Sequence, residues 1–161
     1  MQVHQIMTGN VTACLAGTNL AAATELLWKS DIGVLPVTDA DGKVVGIITD
    51  RDIAIALGTR NLRGSEVLVD DVMTRDVWTC GPFDELPGIM KLMCDAHVRR
   101  IPVVKDERKL CGIVSLNDIA LHAGAGKQGV SAADVLATLI SVCAPSLTRA
   151  VTQGSWFVAP A

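Results

Sequence analysis

The sequence predicts an α/β (α+β) protein made of two copies of one unit, each reading strand, helix, strand, strand, helix. Three observations predict it. Residues recur 66 positions apart: Met7 and Met73, Thr8 and Thr74, Val11 and Val77, Cys14 and Cys80, Leu20 and Leu86, Pro36 and Pro102, Gly46 and Gly112, Asp52 and Asp118. No insertion or deletion interrupts the match between residues 7 and 58, and a fixed period of that kind marks an internal duplication. Within each copy, short apolar runs alternate with segments of helical periodicity. Half of the 161 residues are apolar, enough for a sizeable core, and with three Trp, two Phe and no Tyr that core is aliphatic.

The elements follow in order. "VTAC" and "VWTC", residues 11–14 and 77–80, read as short strands. Residues 19–30 place Leu20, Ala23 and Leu27 on one helical face, with Asn19 as cap; residues 86–97 do the same with Leu86, Ile89, Met90 and Met93. "VLPVTD" and "RIPVVKD" are strands. "DADGK" is a tight turn in which Gly42 is free to take positive φ. "VVGIIT" and "LCGIVS" read as strands apolar on both faces and deeply buried, and a second helix follows each from about Asp50 and Asn117. One unit is too small to be comfortable alone, so the two are expected to pack sheet to sheet with pseudo-two-fold symmetry. The predicted organisation is a first repeat over 1–58, a connector over 59–68, a second repeat over 69–124 and a C-terminal helix and tail over 125–161. In that last part "GAGKQG" is a flexible break, Ser131 caps a helix to about Cys143, and "VTQGSWFVAPA" is apolar enough to dock on something.

Net charge is −3, from 14 basic and 17 acidic side chains, which argues against a nucleic-acid binder with its cationic footprint. No apolar run is long enough to span a bilayer, and "MQVHQIMTGN" lacks the features of a secretory signal. The five cysteines (14, 80, 94, 111 and 143) form no Cys-x-x-Cys pair and sit mostly in apolar runs, as reduced core thiols of a cytoplasmic protein do. His4, His97 and His122 have no metal-ligand spacing, so no metal is expected.

Thr49-x-x-Asp52 and Ser115-x-x-Asp118 stand where a buried strand hands over to a helix. The plain reading is a capping box, and Ser131-x-x-Asp134 repeats the spacing with no strand before it. Spacing alone therefore proves nothing about a ligand.

The duplicated segments "IMTGNVTAC" and "VMTRDVWTC", the strands around Pro36 and Pro102, and the endings "GIITDRDI" and "GIVSLNDI" together resemble a CBS-domain pair, or Bateman module, over residues 3–122. The resemblance implies a regulatory module without chemistry of its own. It would bind adenine nucleotides or related adenosyl ligands in clefts between the repeats and dimerise into a flat disc. AMP, ADP and ATP are the leading ligands; S-adenosylmethionine is the alternative. With no effector domain evident, output would pass to a separate, unknown partner protein. An aspartate at the helix start suits a ribose cis-diol, since a carboxylate accepts from two hydroxyls. The family's phosphate contacts often lie just before the proline strand, where His97, Arg99 and Arg100 stand in the second repeat and Asp31, Gly33 and Val34 in the first. The main cleft is thus expected to use Ser115, Asp118, Arg99 and Arg100, with adenine near Thr8, Val11 and Ala13. A weaker second cleft would use Thr49, Asp52, Thr74, Val77 and Thr79, with Arg51 either supplying a cation to it or facing solvent. The rivals are a structural dimerisation module with empty clefts, and a thiol enzyme built on Cys14 and Cys80, which recur at equivalent positions.

Overall fold

The structure, a computed structural model, describes residues 1–124 and 130–144. In the first repeat β1 (Cys14–Leu15), β2 (Val34–Thr38) and β3 (Val44–Thr49) form one sheet in that order. β1 runs parallel to β2, with Cys14 opposite Val37, and β2 is antiparallel to β3, with Val34 opposite Thr49. Helices α1 (Leu20–Ser30) and α2 (Asp50–Arg60) complete the unit. The second repeat has α3 (Leu86–Ala96), the antiparallel pair β4 (Arg100–Lys105) and β5 (Lys109–Ser115), and α4 (Leu116–Leu121). α5 (Ala132–Cys143) then packs on α3 and α4, burying Val135 and Thr138.

Local chemistry sets the ends of these elements. Asn19 accepts from the Ala22 N–H at 2.9 Å and starts α1. Asp31 and His97, equivalent residues, end α1 and α3 in the left-handed conformation, at φ 52° and 51°. Gly42 takes φ 79° in the first hairpin, as the turn requires. The two hairpins are tied together: Val44 N–H donates to the Arg108 carbonyl at 3.0 Å, Leu110 N–H to that of Gly42 at 3.0 Å, and Lys43 Nζ pairs with Glu107 at 2.7 Å.

The packed halves are not the same as the sequence repeats. Val3 and Ile6 sit in the core of the second repeat, with Leu86, Met93, Ile101 and Ile119. Val67, Val69 and Met73 sit in the core of the first, with Leu20, Leu35, Ile48 and Ile53. Each repeat thus lends its leading arm to the other.

Two expectations are corrected. The runs 11–14 and 77–80 are mostly not strands: only Cys14–Leu15 is one, and Cys80 makes a single parallel bridge to Val103. β3 is not buried on both faces; Val44, Gly46 and Ile48 are buried while Val45, Ile47 and Thr49 are half-buried, and β5 alternates likewise toward its end. α4 is six residues against eleven in α2. The predicted break over 125–129 and tail over 145–161 lie outside the described residues.

Candidate functional site

The site is built where β3 becomes α2. Thr49 is extended, at φ −117° and ψ 162°, and its Oγ1 accepts from the Asp52 N–H at 3.2 Å. Asp52 Oδ2 in turn accepts from the Thr49 N–H at 2.9 Å and from the Thr49 hydroxyl at 2.7 Å. Ser115 and Asp118 repeat this at β5 and α4, with 3.1, 2.7 and 2.6 Å. The capping reading is therefore correct for both pairs. It leaves a remainder, because the cap uses only Oδ2, and Oδ1 of each aspartate has no hydrogen bond among the described residues.

The exchanged arms bring a second wall. Thr74 and Ile47 exchange both backbone bonds at 2.9 Å, and Thr8 and Ile113 do so at 3.0 Å. The approach needs the preceding glycines: a Cβ on Gly46 would stand 2.3 Å from Met73 Sδ and 3.2 Å from the Thr74 carbonyl. On Gly112 it would stand 2.5 Å from Met7 Sδ and 3.3 Å from the Thr8 carbonyl. Glycine recurs here because the other repeat's backbone crosses at this point.

Two clefts result, related by the repeat. The Asp52 cleft encloses about 270 Å3 and is lined by Thr49, Asp52, Thr74, Asp76, Val77 and Trp78 on one side and by His97, Val98, Arg99 and Arg100 on the other. The Asp118 cleft encloses about 350 Å3, lined by Thr8, Asn10, Val11, Thr12, Ser115 and Asp118, facing Ser30 through Val34 and Arg100. Both volumes are close to the small end of ligand pockets, ~300 Å3.

Most expected residues come together as paired. Thr8 and Val11 join Ser115 and Asp118, and Thr74 and Val77 join Thr49 and Asp52. Arg99 does not lie with Asp118; it lines the Asp52 cleft, and Arg100 lines both. The reason is geometric: each cleft lies between the repeats, so the loop before a proline strand faces the other repeat's aspartate. The expected order of the clefts in positive charge is thereby reversed. Ala13 and Thr79 line neither cleft, and Arg51 does not line that of Asp52. Sequence reasoning missed Asp76 and Asn10, and it noted His97 and Asp31 before the proline strands without assigning either to a cleft. Their signal was the repeat itself, since Asp31 matches His97 and Asn10 matches Asp76.

The side chains of Arg99 and Arg100 have no ion pair or hydrogen bond among the described residues. The thiols offer little to chemistry. Burial pushes Cys14 up to about 11, and burial, with the Asp84 charge adding to it, pushes Cys80 up to about 12. Both stay protonated near neutrality, the opposite of an activated nucleophile. No group of three or more His, Cys, Asp or Glu is placed to hold a metal among the described residues. No helix there is long and apolar enough to cross a membrane.

Residues 3–59 and 69–123 each match the family model of the CBS domain. An uncharacterised 17.7 kDa protein of Acidianus ambivalens is 34% identical over 119 residues, 74% of this chain and 71% of that one. Hypoxic response protein 1 of Mycobacterium tuberculosis is 31% identical over 119 residues, 74% of this chain and 82% of that one. Among solved structures, the CBS domain pair of protein MJ0100, in complex with 5′-methylthioadenosine and S-adenosyl-L-methionine, superposes with a TM-score of 0.69. It is 30% identical, over 75% of this chain and 94% of that one.

Proposed function

The chain belongs to the CBS-domain family, and we propose that it is a regulatory module binding an adenine nucleotide, AMP, ADP or ATP, in the cleft of Asp52. One observation carries the choice of a phosphorylated ligand. That cleft is lined by Asp52, whose Oδ1 has no hydrogen bond among the described residues, and by His97, Arg99 and Arg100. The carboxylate suits the ribose diol, and guanidinium groups suit phosphate oxygens, which they grip two at a time. The α2 N-terminus beside Asp52 adds a favourable field for the anion. Binding would rigidify the seam between repeats, and a partner protein would read that change.

A second ligand class has its own observation. Each cleft is lined by two carboxylates, but among the described residues the Asp118 cleft, with Asp31 and Asp118, has Arg100 as its one cationic side chain, where the Asp52 cleft has His97, Arg99 and Arg100. That balance favours an adenosyl ligand without phosphate, such as the 5′-methylthioadenosine or S-adenosylmethionine held by the MJ0100 pair.

The helical faces support a homodimer. α5 covers the face of α3 and α4, while the corresponding face of α1 and α2 leaves a groove of about 700 Å3 and Trp28 85% exposed. A second copy is the natural cover for so apolar a face.

Thermal unfolding tests the ligand reading. AMP, ADP or ATP at a hundred times its dissociation constant should stabilise the fold by about 2.7 kcal/mol. Absence of any melting shift with all three at millimolar concentration contradicts the nucleotide reading. Shifts with 5′-methylthioadenosine or S-adenosylmethionine alone would leave only the second ligand class.

A further inference from the structure

We propose that Arg100 is a phosphate-binding residue shared by both clefts, so that a nucleotide in one weakens a nucleotide, but not a nucleoside, in the other. This rests on the reading of the clefts as adenosyl sites. Among the described residues Arg100 and Val34 are the two that line both cavities. They are equivalent in the repeat, opening β4 and β2. The seam between the clefts therefore has two matching positions, of which one carries a guanidinium and the other an isopropyl group.

The remaining charges are divided unevenly. Arg99 and His97 line the Asp52 cleft alone, while among the described residues the Asp118 cleft has Arg100 as its one cationic lining residue; each cleft holds a second carboxylate, Asp76 in the first and Asp31 in the other. A phosphate in the Asp118 cleft would then depend on Arg100. Arg100 is half-buried as a residue, and its guanidinium has no ion pair or hydrogen bond among the described residues, so no internal acceptor holds it to either side. A planar fork engages one phosphate face to face, and a phosphate bound first leaves the second without it. Two phosphates flanking one cation also repel each other. Linkage makes the effect reciprocal: whichever cleft fills first penalises a phosphate in the other by the same factor. Nucleosides present no phosphate and escape the penalty. The arrangement would let the second cleft report an uncharged adenosyl ligand even when nucleotide fills the first.

Calorimetric titration of the whole chain with AMP and, separately, with adenosine tests this. In the wild-type protein AMP should bind in two steps, the Asp52 cleft first. Asp52→Ala, which weakens that cleft about tenfold so that the Asp118 cleft fills beside an emptier neighbour, should tighten AMP in the Asp118 cleft by up to about tenfold relative to the second wild-type step, and leave adenosine there unchanged. An AMP affinity in the Asp118 cleft that is the same in both proteins overturns the sharing. Should Asp52→Ala not fold, Arg100→Gln carries the test: AMP and adenosine should then bind the Asp118 cleft equally. AMP still binding there more tightly than adenosine overturns the proposal. Failure of the underlying reading looks different, since neither compound would then give a saturable heat with the wild-type protein.

Discussion

Gly42 and Arg108 hold equivalent places in the two hairpins, and both have left-handed backbone, at φ 79° and 69°. Glycine takes this conformation freely, whereas a side chain pays roughly 1–2 kcal/mol. Asp106 and Glu107 beside it also have positive φ, at 24° and 54°, so the second hairpin is the strained one. Arg108→Gly should therefore stabilise the protein, by up to about 1 kcal/mol after the added freedom of the unfolded chain is counted, and Gly42→Ala should destabilise it by about as much. Urea unfolding of both variants checks this; equal effects of the same sign would contradict it. The strain was not legible in advance. "DADGK" announced its turn through Gly42, but "DERK" names no residue that must be left-handed, and the pairing of the two hairpins imposes the shape from outside.

Three helices start with the same capping box, at Thr49, Ser115 and Ser131. As elements they are alike; their surroundings differ. Asp52 and Asp118 each line a cleft, while Asp134 lies on α5, away from both. Asp134→Ala should cost about 1 kcal/mol of stability, the worth of a cap, and leave adenosine binding untouched. Asp118→Ala should cost a similar amount of stability and also weaken adenosine in its cleft about tenfold. Calorimetry with adenosine on the two variants separates cap from ligand contact; unchanged affinity in Asp118→Ala would reduce that residue to a cap. The sequence made the boxes and their helices legible, because capping depends on a few neighbouring residues. The true extent of the opening strands was not: residues 11–13 and 77–79 have strand-like composition, yet they do not pair in a sheet, and Val11, Thr12, Val77 and Trp78 line the clefts instead.

At the scale of the whole molecule, exchange of the leading arms decides the function. Val3 and Ile6 anchor in one core, Val67 and Val69 in the other, and the clefts open along the crossing. The duplication, and with it the fold, could be read from the constant spacing. Which loop faces which aspartate could not, because Arg99 and Arg100 adjoin Ser115 through the backbone, with Arg100 in register with Ser115, and chain proximity pointed to the wrong cleft for Arg99. The exposed α1–α2 face predicts a particle of twice 16.9 kDa by light scattering, and Trp28→Glu should halve it; a single-chain mass for the wild type at micromolar concentration contradicts the dimer. The central claim is that the Asp52 cleft is built for phosphate. Titrating AMP and adenosine into the wild type and Arg99→Gln tests it most directly. The tighter AMP step should weaken about tenfold in the variant while adenosine in that cleft stays the same. Equal losses for the two compounds, or no loss for AMP, would contradict the account.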